Sequence, residues 1–181
     1  MISIMSDDHR HLFSLPMSSR RHMLTGEALF QAGDAVTHMA LVREGCVHLL
    51  RRTAAGATAI LQTAKHGDVV AEASLYSPSY HCGAEAAGPA EVSLLPVTVF
   101  RQALRESPDL AESWSKHLAR SVQAARMRAE IRTLRTVAER LDAWLGEGNI
   151  LPDKGRHQDV AAELGVSREA FYRELARRRA R

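Results

Sequence analysis

Between Pro108 and Leu145 the apolar residues recur with a seven-residue period. Ala124, Met127, Ile131, Leu134, Ala138, Leu141 and Leu145 follow one another in steps of three and four. That alternation is the a/d seam of a helix that pairs with another helix. Extended backwards, the register meets Leu110, Trp114, His117 and Ser121, so two polar side chains interrupt the line. A helix over 108–145 would be more than about 50 Å long, longer than a small domain is wide. The rest of a 181-residue chain is too short to cover it. A second copy is therefore the expected partner, with Ala124, Met127, Ile131, Leu134, Ala138 and Leu141 as the dimer seam. The competing reading is a long core helix within one domain, which would normally carry a wider apolar stripe.

The sequence before this helix has a different texture. Turn signals recur at Gly26, Gly33-Asp34, Glu44-Gly45, Ala55-Gly56, Gly67-Asp68 and Gly88-Pro89. Short apolar segments lie between them, at 39–42, 47–50, 58–61, 69–70 and 92–95. Short, turn-separated strands predict an antiparallel sandwich or jelly roll, with 51–58 as a hairpin tip. Residues 97–106 look helical, and Pro108 suits the first position of the long helix. Beyond Leu145, Gly146-Glu-Gly-Asn149 breaks the pattern. A helix from His157 to Leu164, a turn at Gly165-Val166 and a second helix from Arg168, N-capped by Ser167, predict a helix-turn-helix.

The expected class is thus α+β in three parts: an antiparallel β-roll sensing domain (1–107), a dimerisation helix (108–145) and a helix-turn-helix (146–181). Charge supports the division. Residues 1–107 hold 9 Lys/Arg against 10 Asp/Glu, while 108–181 hold 15 against 11. The basic surplus lies at the end expected to meet a polyanion, although a basic helix face is also commonly just solvated. No apolar run is long enough for a membrane span. Met1–Leu12 has no apolar core of a signal peptide, and two cysteines fit a reducing cytosol. A cytoplasmic protein without a membrane partner is expected.

On the second helix, Arg168, Glu169 and Arg173 occupy positions that meet base edges in the major groove. Arginine can grip the O6/N7 edge of guanine, and glutamate can accept from cytosine N4. Ser167 caps the helix, and Arg177, followed by further arginines, suits phosphates.

At these residues the sequence resembles the Crp/Fnr transcription regulators. Gly165-Val-Ser-Arg-Glu-Ala-Phe-Tyr-Arg173 is similar to that family's helix-turn-helix signature. Gly67-Asp-Val-Val-Ala-Glu-Ala-Ser-Leu-Tyr76 is similar to the phosphate-binding cassette of its cyclic-nucleotide β-roll. The turns at Gly26, Gly33 and Gly45 and the heptad helix also match, over about residues 12–178. The resemblance implies a homodimer that sets two recognition helices in successive major grooves of a near-palindromic operator on double-stranded DNA, with RNA polymerase as a partner if it activates. The family usually adds a β-hairpin wing after the recognition helix; this sequence ends at Arg181, so binding without a wing's phosphate contacts is expected.

The resemblance also defines an effector pocket. Family members that bind cyclic nucleotides hold the ribose with a glutamate, here Glu72, and the cyclic phosphate with an arginine, whose position falls on Cys82, followed by Gly83. Cysteine offers a phosphate neither a fixed cation nor strong donors, which argues against cyclic AMP. The base contacts of the long helix would fall near Ala125 and Arg126, and Arg126 could replace the missing charge. Leu49 and Leu61 complete the expected pocket.

His81 and Cys82 lie beside Glu72 in sequence, and Cys46 and His48 share one face of a strand. Thiolate and imidazole together suit Cu(I), Zn(II) or haem iron, so a metal or redox effector at these four residues is one reading. The plain alternative has Cys46 as a small packed hydrophobe, with Val47 and Leu49 facing inward and Cys46 and His48 facing away. An effector-independent interaction protein with a degenerate DNA-binding end is the alternative for the whole chain. A cupin-type enzyme would need a His-x-His cluster that the barrel lacks, and no nucleophile–base pair is evident, so catalysis is not expected.

Overall fold

The computed structural model describes residues 8–52 and 58–180. The expected hairpin tip falls mostly on 53–57, outside the described residues. After a 3₁₀ turn at Asp8–Ser14, eight strands follow: β1 (Ser19–Met23), β2 (Ala28–Phe30), β3 (His38–Glu44), β4 (Val47–Arg52), β5 (Thr58–Ala64), β6 (Val69–Val70), β7 (Gly83–Ala86) and β8 (Ala90–Pro96). They form two antiparallel four-stranded sheets, in the orders β1-β8-β3-β6 and β2-β7-β4-β5. The roll is closed by turns that need glycine. At Gly45, between β3 and β4, φ is +72°, and a Cβ there would sit 2.3 Å from the Pro89 carbonyl oxygen. Val42, Val47, Leu49, Val70, Cys82 and Val92 are buried between the sheets.

Two helices seal the open side. Helix α1 (Val97–Glu106) and the start of α2 (Pro108–Thr133) bury Phe100, Leu104, Leu110 and Trp114 against Phe13, Leu75 and Leu95. Ser107 caps α2 by accepting from the Leu110 amide, with Pro108 in the first turn.

The expected single helix over 108–145 is two helices. Leu134 leaves the helical region at φ −61°, ψ 146°, and α3 (Val137–Gly146) starts afresh. The cause is local. Thr136 accepts from the Glu139 amide at 3.1 Å, and the Glu139 carboxylate accepts from the Thr136 amide at 2.9 Å. This capping box satisfies two helix-end donors at once. Ile131 and Leu141 then turn inward and join Trp144, Val160, Leu164, Phe171 and Leu175 in a third core. Of the expected dimer seam, Ile131 and Leu141 are therefore closed to a partner, Met127 packs against this core, Leu134 and Ala138 are half-buried, and Ala124 is exposed.

Helices α4 (His157–Glu163) and α5 (Arg168–Arg179) complete the chain, joined by a turn in which Gly165 takes φ +66°. No described helix is long and apolar enough to cross a membrane.

Candidate functional site

The cassette resemblance falls on the link from β6 to β7. There Ala71 adopts a left-handed φ of +58°, rare for a residue with a side chain and characteristic of over-determined sites. The twist starts a short turn, Glu72–Ser74, that buries Glu72. Glu72 Oε1 accepts a hydrogen bond from the Ser121 hydroxyl of α2. Cassette and helix thereby enclose a cavity of about 300 Å³, whose wall includes Leu49, Leu61, Glu72, Cys82, Val122 and Arg128.

Of the expected pocket residues, Leu49, Leu61, Glu72 and Cys82 thus meet in one place, and His81 stands at the rim with its Nδ1 3.4 Å from Ser74 Oγ. Two do not join them. Gly83 turns to the other side of its sheet, in a cavity with Phe30 and Leu50. Arg126 is exposed and lies outside the wall; the arginines at the cavity are Arg128 and Arg132. A helix turns 100° per residue, so a two-residue error in transferring a contact from sheet to helix swings it to another face.

The four metal-ligand candidates do not form one site. Cys82 packs among the residues between the sheets, where burial pushes its thiol above the ordinary value. Cys46 and His48 lie on the opposite face of their sheet, against α4. Cys46 Sγ accepts from Arg156 Nη2 at 2.8 Å, and its thiol is likewise pushed up by burial. Burial holds the His48 imidazole below its usual pKa, with Asp159 acting in the opposite direction. A protonated thiol is a poor ligand for soft metals. Among the described residues, no three His, Cys, Asp or Glu side chains are grouped to hold a metal ion.

The helical end is attached to the roll and to α2 by arginines. Arg132, at the cavity wall, donates from Nε to the Glu163 carbonyl (2.9 Å) and from Nη2 to the Ile60 carbonyl (2.5 Å). Arg140 donates to the Leu134, Leu164 and Gly165 carbonyls. These bonds satisfy the last carbonyls of α4 and α2, so one side chain of α2 touches the cavity, the β5 strand and α4 together.

On α5, Ser167 Oγ accepts from the Ala170 amide at 3.2 Å, and Ser167, Arg168, Glu169 and Arg173 are exposed. Hydrogen bonds at the helix start, from its own amide and from Ser167, hold the Glu169 carboxyl below the usual range. Arg168 lies 5.6 Å from the centre of the Tyr172 ring, which restrains its side chain. Arg177 is engaged locally, pairing with Glu174 at 2.8 Å. Arg178 binds Glu174, Asp142 and the Ala138 carbonyl, which fixes α5 on α3.

Sequence reasoning missed Arg128, Arg132 and Arg140. Arg128 and Arg132, four residues apart on α2, share one helix face, a usable sign hidden by the other arginines nearby; Arg140 lies beyond the break, on α3.

Residues 20–107 match the model of the cyclic nucleotide-binding domain. No curated protein matches the chain. Solved structures do. FixK2 from Bradyrhizobium japonicum is 21% identical, with a TM-score of 0.77 over 88% of this chain and 83% of that one. CLP from Xanthomonas campestris, a c-di-GMP responsive global regulator, is 19% identical, with a TM-score of 0.73 over 94% and 89%. A CRP-family transcriptional regulator from Thermus thermophilus is 18% identical, with a TM-score of 0.70 over 88% and 84%. The match over residues 20–107 is to the cyclic nucleotide-binding domain, and the chain shares its fold with these three solved structures.

Proposed function

We propose that the protein is a dimeric, DNA-binding transcription regulator that answers to a small effector other than cyclic AMP. One observation carries the reading: the helix whose side chains wall the cavity also holds, through Arg132, the helical pair that exposes Arg168, Glu169 and Arg173. An effector that favours one placement of α2 would shift the population of reader orientations by its differential affinity for the two. Cyclic AMP is disfavoured because Cys82 presents a buried thiol where a phosphate would need a cation. The dimer would form on the exposed apolar strip of α2 around Ala119, Val122 and Ala129, next to the cavity mouth.

Selection of bound duplexes from a random library tests the function. The expected product is a near-palindrome with half-sites about 10 base pairs apart. Arg168→Ala should weaken that binding by about 1–3 kcal/mol without changing the oligomer. No enriched sequence, with the dimer intact in sedimentation, would favour an effector-independent interaction protein instead.

A further inference from the structure

The cavity contains a cation that none of the described residues neutralises by contact. The Arg128 guanidinium is half-buried and makes no hydrogen bond or ion pair among the described residues. Burial pushes its pKa below the usual arginine value, with Glu163 and Glu72 only partly offsetting this from a distance. The other ionic groups of the wall are engaged, and the neutral Gln62 amide and the His81 ring complete its polar part. Arg132 is held by the Ile60 and Glu163 carbonyls, and Glu72 by Ser121. Much of the remaining wall is apolar, with Leu49, Leu61, Val122 and Cys82.

Leaving a cation partly desolvated and unpaired costs free energy that a bound anion would recover. A guanidinium presents a planar fork that matches a carboxylate or phosphate with two parallel hydrogen bonds. At the cassette the cavity wall presents the Cys82 thiol and, at its rim, the His81 ring, with no arginine or lysine among its described residues. The positive charge available to a ligand has therefore moved from the sheet to α2, about two turns beyond Ser121. A volume of about 300 Å³ suits a small molecule, at the lower end of ligand pockets.

We propose that this cavity takes a small organic anion, its carboxylate or phosphate on Arg128 and its apolar body against Leu49, Leu61 and Val122. The proposal rests on the effector reading above and names the ligand class for it. An anion on Arg128 lies one helical turn from Arg132, and so acts next to the side chain that holds α4.

The test is isothermal titration of the full-length protein with benzoate, phenyl phosphate, inorganic phosphate and neutral benzamide. At least one organic anion should bind once per chain, about tenfold or more tighter than benzamide and than inorganic phosphate. In Arg128→Gln that discrimination should collapse, and Arg128→Lys should restore part of it. Equal binding of anion and amide by the wild type, no binding of either anion, or unchanged discrimination in Arg128→Gln would each overturn the proposal. Without ligand, Arg128→Gln should melt at or above the wild type, because it removes an unpaired, half-buried charge. A marked fall would show that the guanidinium holds the fold, and would also overturn it. Duplex selection on the same preparation separates the two readings: anion binding without sequence selection sinks the regulator, and selection without anion binding sinks the ligand class.

Discussion

The two halves of the heptad run carry the same apolar spacing and meet different fates. In α2 one face, through Leu110 and Trp114 and then Ser121 and Arg128, lies on the roll and its cavity, while Val122 remains 50% exposed. In α3, after a break of three residues, Leu141 is completely buried in the core of the helical end. The period of an apolar pattern reports that a helix face will be covered. It does not say whether the cover comes from the same chain or another. Here the break at Leu134–Thr136 decides, because it turns the second half towards α4 and α5 and leaves Ala119, Val122 and Ala129 of the first half exposed.

The sharpest way to break this comparison is Leu141→Ala. If Leu141 is a core residue, the loss is about 2–5 kcal/mol of unfolding free energy, with the dimer constant barely changed. A dimer that dissociates while the denaturant midpoint holds would return Leu141 to an intermolecular seam. Val122→Glu is the complementary change. It puts like charges face to face across the proposed dimer and should raise the dissociation constant by about tenfold or more, roughly 1.4 kcal/mol. The monomer's melting temperature should scarcely move, since Val122 is half in solvent. Sedimentation velocity against dilution reads both variants, and a Val122→Glu dimer as tight as the wild type would remove this face from consideration.

The break itself is the next target. Thr136→Ala removes the hydroxyl that caps α3 and should cost about 1 kcal/mol. Hydrogen exchange should rise in the first turn of α3 and leave the Ser107-capped start of α2 unchanged. Equal protection in both would mean that the capping box does not hold the junction.

Much of the architecture was legible because local chemistry and burial agree. The glycine turns, the short strands and the Ser167-capped helix after Gly165 were readable from residue type alone, and all are present in the fold. Thr136-Val-Ala-Glu139 was readable too, as a threonine followed three residues later by glutamate, the signature of a capping box. The heptad count overrode it, since a period spanning 38 positions suggests continuity more strongly than one cap suggests a stop. The site was less legible. Glu72 and Cys82 follow each other along the cassette, so one-dimensional transfer put both at the cavity. Arg128 reaches the same cavity from α2, whose rotation relative to the sheet depends on packing by Trp114 and Leu110. The Cys46–His48 pair was legible as a pair sharing one strand face, but not as a pair covered by α4, because that contact joins residues about 110 positions apart in sequence.

The smallest expected effect concerns that covered face, and pH isolates it. His48 and His117 are both held below their usual pKa by burial, so the folded state binds fewer protons than the unfolded chain. Stability from keeping them neutral is fully present above about 6.5, and is lost as pH falls below that value towards the lowered folded one. Carboxyls held low by hydrogen bonds, such as Glu139 by Thr136, act below the ordinary carboxylate value of 4.5 and leave the interval above it to histidine. Denaturant midpoints should therefore fall between pH 7 and pH 5.5 in the wild type. The fall should be shallower in His48→Gln, which keeps a polar group against Arg156 and Asp159 without a titrating ring. An undiminished slope in His48→Gln would assign the effect to His117, on α2, and leave the face under α4 electrostatically silent. A diminished slope would mean that protonating His48, buried where β4 faces α4, costs stability in proportion to the slope lost.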